Sequence, residues 1–346
     1  MGAHGSSPTM GGSFAAKLLA FAAGEGLDAG ALAAAHGLAG AAWTEPDARV
    51  AVAAVYGLVE AVAAGCDEAA SVRFTASLEP GDFDALGFLV LTSPTIGAAI
   101  DRFVEHQRLY NEGERYEVAA VAGGAILRFT PWGPRRPAHA WMADVAFGDV
   151  LGGAQALLGR PLKIGAVRLR RARPADPRPW IGSLGDVEFG ALVDEVMLPA
   201  ETLAIALPDA DRAMHAIFAR VAREQLARLP TDLSLGSRVR ALIAARLPVV
   251  APDLRALADA LGLAPRTLQR RLQAEGESLH GLVEAVRRAR AAELLATAMP
   301  LAEVSQRLGY AEPSVFFRAF RRWTGETPEG YRRRVAAVAP PTSGGT

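Results

Sequence analysis

The chain has 346 residues, of which 51% are hydrophobic and 21% charged, enough for a sizeable packed core and, at this length, for two domains. Its formal net charge is zero, yet residues 234–334 hold 17 Arg, no Lys and 10 Asp and Glu, a net of +7, while the rest holds 20 Lys and Arg against 27 Asp and Glu, a net of −7. The single cysteine, Cys66, excludes an intramolecular disulfide framework and a multi-cysteine zinc site, and no signal peptide or membrane-length apolar segment is visible.

Residues 1–12 are Gly/Ser-rich and read as a disordered tail. Residues 13–38 read as two short helices broken at 24–27. Residues 47–66 form a third, with Asp47 as a candidate cap and Cys66 a small buried thiol at its end. A helix over 93–113 opens at Ser93-Pro94 and closes at Gly113. Residues 116–122 and 125–130 are β-rich around Gly123-Gly124, a hairpin signal. Residues 138–158 read as a helix, 164–172 and 195–198 as strands, and 209–229 as a long helix. The front domain, 13–229, is thus α+β. A linker over 230–233 follows.

The last third repeats itself. Leu254, Leu257 and Leu261 match Leu301, Val304 and Leu308 at an offset of 47, each set marking a short amphipathic helix. Gly262 and Gly309 suit the left-handed position after each helix. Second helices follow, in which Leu268 and Leu272 match Phe316 and Phe320 at an offset of 48. Helix, glycine turn, helix is the helix-turn-helix layout. Between the copies, residues 279–298 read as an uninterrupted helix; about sixteen residues at 1.5 Å each give roughly 24 Å. Such a rod could set two recognition helices about one DNA turn, ~34 Å, apart.

With Leu268 and Leu272 inward, Arg266, Gln269 and Arg270 point outward. Arg and Gln carry the fork geometries that read guanine and adenine edges. In the second copy, Ser314, Phe317 and Arg318 lie off the Phe316/Phe320 seam and are assigned to bases. The Phe317 ring would meet a thymine methyl or lie against backbone. Thr267, Arg271, Arg321 and Arg322 are assigned to phosphates. A solvated charged face is the plainer alternative for one helix; duplication, the local charge and all-arginine usage favour double-stranded DNA.

Glu303-Val304, Leu308-Gly309-Tyr310, Ser314, Phe316, Arg318-Ala319-Phe320, Trp323, Gly325, Thr327-Pro328 and Tyr331-Arg332 resemble the C-terminal signature of AraC/XylS-type transcription regulators. The resemblance covers about a hundred residues. It implies an all-α DNA-binding domain over 234–334, seven helices with two helix-turn-helix units joined by a long helix, followed by a flexible tail over 335–346. By position it assigns Pro313 to the second recognition helix beside Ser314, Phe317 and Arg318. The segments GLDAGAL, DARVAVAAVYGLVEAV, LEPGDFDALGFLVLTSPTIGAAIDRF and LPDAD resemble, more softly, the arabinose-binding-like N-terminal domain of a subgroup of these regulators. That name does not certify a sugar.

The six histidines form no HxxxH, HxH or His/Cys cluster, and no G-x-S-x-G, P-loop or dinucleotide fingerprint stands in context. No enzyme, metal or cofactor is therefore expected. Effector-pocket candidates are Arg108, Tyr110, Asn111 and Glu112 at one helix end, and Trp132, His139 and Trp141 beside another; a capped helix end plus core aromatics is the alternative. His106 reads as a satisfied histidine. The expected function is a bacterial, cytoplasmic, nucleoid-associated transcription regulator, with activation as the family's usual outcome. Its expected partners are double-stranded DNA, an unknown small-molecule effector and RNA polymerase, with a homodimer open and no membrane partner. The rival is a ligand-independent dimeric DNA-binding regulator.

Overall fold

A computed structural model describes residues 8–38, 40, 43, 45, 48–229, 235–247 and 253–338. The expected linker at 230–233, the Asp47 cap and residues 1–7 and 339–346 of the expected tails lie outside them. The chain divides into two compact units, one of Met1–Phe189 and Asp194–Ser234, the other of Gly190–Val193 and Leu235–Thr346.

The first unit runs β1 (Thr9–Gly11), α1 (Gly12–Gly24), α2 (Ala29–Ala35), β2 (Arg49–Ala51), α3 (Val52–Gly65), α4 (Ala70–Ala76), a 3-10 turn (Pro80–Phe83), α5 (Asp84–Leu91), α6 (Ile96–Tyr110), β3 (Arg115–Val121), β4 (Gly124–Thr130), α7 (Ala138–Leu158), β5 (Val167–Leu169), α8 (Arg178–Leu184), β6 (Val187–Phe189), β7 (Asp194–Pro199), α9 (Ala200–Leu203) and α10 (Arg212–Arg228). It is α+β. One sheet is the antiparallel pair β1–β2; the other has the order β3-β4-β7-β5-β6, antiparallel except for β5–β6.

Three readings need correction. Thr9–Gly11, expected in a disordered tail, form β1, and Arg49–Ala51, expected in a helix, form β2. The cause is local anchoring. Arg49 donates to Thr9 Oγ1 at 2.7 Å and to the Leu109 carbonyl at 2.7 Å, and the Thr9 hydroxyl donates to Glu112 at 2.7 Å. At the other end, α17 carries residues 335–338, expected in the flexible tail, because no Gly or Pro interrupts them.

The β3–β4 hairpin stands where Gly123-Gly124 placed it. Gly123 sits at φ +82°, and at Gly124 a Cβ would fall 2.1 Å from the Leu198 carbonyl oxygen, so only glycine lets β7 approach. Along β4, Ala125, Leu127 and Phe129 are buried in alternation. The other face carries charge in register. Glu195 accepts from Arg128 and Arg168 on its two sides, each at 3.0 Å, and Arg168 reaches Glu188 at 3.3 Å. α3 buries Val52, Val55, Tyr56, Val59 and Val62 at helical spacing, and α7 is buried over most of its first three turns. Cys66 ends α3 half-buried, its thiol pushed up by burial and by Glu25.

The second unit is helical: α11 (Leu235–Arg246), α12 (Leu254–Ala260), α13 (Pro265–Ala274), α14 (Leu279–Leu295), α15 (Leu301–Arg307), α16 (Pro313–Thr324) and α17 (Pro328–Val338). It has two cores. Leu257, Leu268, Leu272 and Leu282 pack with Leu235, Val239 and Ile243 in one. Val304, Leu308, Phe316, Phe320, Trp323 and Tyr331 pack with Ala291, Leu294 and Leu295 in the other. Leu192 and Val193 join that second cluster.

Candidate nucleic-acid interface

Each helix-turn-helix is built by a few buried side chains. In α12–α13, Leu257 and Leu268 are fully buried and Leu272 nearly so. Pro265 opens α13 at a position where its missing N–H costs nothing. In α15–α16, Val304, Leu308, Phe316 and Phe320 are fully buried, and Pro313 opens α16. Gly262 and Gly309 close the first helices at φ +65° and +72°, the left-handed backbone the repeat implied.

Burying one face of α13 leaves Arg266, Gln269 and Arg270 exposed together, with Thr267 and Arg271 half-buried beside them. Burying one face of α16 leaves Ser314, Phe317, Arg318, Arg321 and Arg322 exposed. Arg318 and Arg321 form no ion pair among the described residues. Arg322 is different: it is held by Glu284 of α14, which also accepts from Trp323 Nε1 at 3.3 Å. Burial works to raise the Glu284 carboxyl, but the hydrogen bonds from Arg322 and Trp323 outweigh it and hold it below its ordinary value. Phe317 is 38% exposed and edge-on to Phe316, with centroids 5.8 Å apart.

The supporting roles of three side chains escaped the sequence reading. Arg287 of α14 donates to the carbonyls of Leu308 and Gly309 at 3.0 and 3.1 Å and lies 4.3 Å over the Tyr310 ring. It thereby caps α15 and fixes the second turn. Glu275 accepts from the backbone N–H groups of Leu235 and Gly236, each at 2.9 Å, and so caps α11. Arg332 donates to the Met299 carbonyl at 2.6 Å. All three hold backbone ends, and no spacing in the sequence points to such partners.

Residues 26–207 match the family model described as the arabinose-binding domain of AraC transcription regulator, N-terminal, over more than half of the chain. The chain belongs to the AraC-type transcription regulators. The regulator also matches a helix-turn-helix domain model over residues 257–334. It is 31% identical over 249 residues to the ornithine utilization regulator of Pseudomonas aeruginosa, covering 71% of this chain and 73% of that protein. It is 47% identical over 105 residues to the HTH-type transcriptional regulator VirS of Mycobacterium tuberculosis, 30% of this chain and 31% of that one. The crystal structure of the transcriptional regulator CdpR from Pseudomonas aeruginosa aligns with a TM-score of 0.42 at 22% identity, over 88% of this chain and 96% of that one. The regulator's helix-turn-helix domain match and relatives named as regulators make it a DNA-binding transcription regulator.

The front-unit candidates separate into three places. Arg108 and Glu112 pair at 3.2 Å, and Glu112 also holds Thr9. The Asn111 side-chain oxygen accepts from the N–H groups of Gly113 and Glu114 at 2.8 and 3.2 Å, and Tyr110 is buried among Phe14, Phe83 and Phe103. Trp141 packs against Phe21 and Phe74. Trp132 donates its backbone N–H to the Tyr56 hydroxyl at 3.1 Å, and its carbonyl accepts from His139 Nε2 at 2.8 Å. Of these seven, His139 lines a cavity of about 430 Å³. His106 is buried, with Nδ1 3.0 Å from the Arg102 carbonyl. Among the described residues, no three His, Cys, Asp or Glu side chains are placed to hold a metal, and no helix is long and apolar enough to cross a membrane.

Proposed function

We propose that this regulator is a ligand-responsive activator that reads two successive major grooves. α13 supplies base contacts through Arg266, Gln269 and Arg270, and α16 through Ser314, Phe317 and Arg318. Arg321, Arg271 and Thr267 rest on phosphates, with Arg322 joining them on release from Glu284. The front unit senses a small molecule, and its occupancy shifts the population of a DNA-competent arrangement. Contact with RNA polymerase in the cytoplasm completes the reading. The supporting observation is the paired exposure: two helices, each pinned by buried residues, each presenting exposed arginines from a unit of net +7.

The test is footprinting of the DNA beside the gene, with and without candidate metabolites. A protected site about two helical turns long, strengthened by a metabolite, supports the reading. A protected site indifferent to every metabolite supports a ligand-independent dimeric regulator. For that second reading the favouring observation is Met214 and Ile217, 41% and 46% exposed one turn apart on α10, a face that a second copy could cover.

A further inference from the structure

A cavity of about 430 Å³ lies in the front unit beside the start of α7 and the segment after β5, within the ~300–1,000 Å³ range of small-molecule sites. Four arginines line it: Arg135, Arg136, Arg170 and Arg171. Two are occupied by the fold. Arg136 donates to both oxygens of Glu60 at 2.7 Å. Arg171 pairs with buried Asp144 and lies 4.2 Å over the Trp180 ring.

Arg135 and Arg170 differ. Neither joins an ion pair among the described residues. Burial lowers the Arg170 guanidinium from its ordinary value; Asp194 opposes this, and the charge of Arg135 lowers it further. The two lining carboxylates are partly committed. Asp194 accepts the backbone N–H of Arg170 at 2.7 Å, and Glu68 accepts that of Ala175 at 3.2 Å. His139 adds no charge at neutral pH, because burial holds its ring down to about 4. Two guanidiniums that repel each other in a partly dehydrated cavity gain most from an oxyanion between them. Its oxygens would replace the repulsion with charge-assisted, geometrically matched hydrogen bonds.

We propose that this cavity is the front unit's effector site and takes a small organic oxyanion, a carboxylate or a phosphate ester, gripped by Arg135 and Arg170. The inference deepens the sensing reading above and rests on it.

Calorimetry on the full chain tests it, with acetate, succinate, citrate, glycerol phosphate and inorganic phosphate as probes and arabinose as the neutral control. Saturable binding of at least one oxyanion is expected, weakened tenfold or more by Arg135→Gln, which alters an exposed side chain, and by Arg170→Gln. The carboxylate and phosphate arms separate the two sources of charge. Binding unchanged in Arg135→Gln, or none of the oxyanions bound at millimolar concentration, overturns the site. A parallel thermal-shift screen of neutral and cationic metabolites keeps the two readings apart. A hit there, with no oxyanion bound, sinks the oxyanion site and leaves sensing standing; no hit in either arm sinks both.

Discussion

Arg287 closes the open end of α15 by donating to the Leu308 carbonyl at 3.0 Å. The same guanidinium reaches Gly309 and covers the Tyr310 ring, so one side chain on α14 fixes the turn that aims α16. Arg287→Ala should destabilise the second unit by ~1–3 kcal/mol, the cost of leaving carbonyls unsatisfied. Urea unfolding reads the stability. Specific DNA affinity should fall with it, because α16 loses its mounting; affinity unchanged in a destabilised variant would mean that α16 is not a reading helix.

Arg270 and Arg321 are both exposed, on different helices, and are proposed for different work. Arg270→Ala should cost ~1–3 kcal/mol at the specific site and relax one base position. Arg321→Ala should weaken all sequences alike and reduce the salt slope by about one. Gel-shift titrations on specific and scrambled duplexes, at several salt concentrations, check both. Equal, salt-independent losses would contradict the division of roles.

Burial raises the Glu114 carboxyl from 4.5 to about 8, against a hydrogen bond from Tyr56. Between these values the folded chain keeps a proton that the unfolded chain has released. The stability this proton contributes is full below about pH 4.5 and fades as pH rises to about 8. Melting temperatures from pH 5 to 9 should therefore fall more steeply for the parent than for Glu114→Gln, which cannot ionise. Parallel curves would refute the assignment.

Glu195 is the hinge of the cross-strand charge ladder, 4% exposed and paired to Arg128 and Arg168. Glu195→Ala leaves two guanidiniums with one fewer carboxylate in a half-buried face. A loss of ~3–5 kcal/mol is expected, read by denaturant unfolding of the full chain. Glu195→Gln, which keeps the shape and some hydrogen bonding, should lose less.

The helix-turn-helix pair was legible because its determinants are apolar and periodic. Leu257 and Val304, or Leu268 and Phe316, repeat at nearly fixed offsets, and each is fully buried. What was hidden depends on polar groups meeting backbone or charge far along the chain. Arg287 finds carbonyls 21 and 22 residues away, and Arg322 is claimed by Glu284, 38 residues back. In the front unit the hairpin and α7 were readable from their Gly pair and length. β1, β2 and β6 have three residues each, too short for alternation to register, and exist through pairing. Four effector candidates clustered in sequence around Arg108 and three around His139; of the seven, His139 lines the arginine-rich cavity, which draws on residues from 68 to 194.

α14 enters both cores of the second unit: Leu282 belongs to the first, and Ala291, Leu294 and Leu295 to the second. A helix fixed at both ends sets an angle as well as a length. On the proposed two-groove reading, each inserted residue would advance one recognition helix by ~1.5 Å and turn it by ~100° about the rod, so a single insertion would point α16 away from its groove while α13 still entered its own. Four inserted residues nearly restore the turn, at the expense of ~6 Å of added separation. The helix is thus a phase setting, and operators with altered half-site spacing are the natural suppressors of changes in its length.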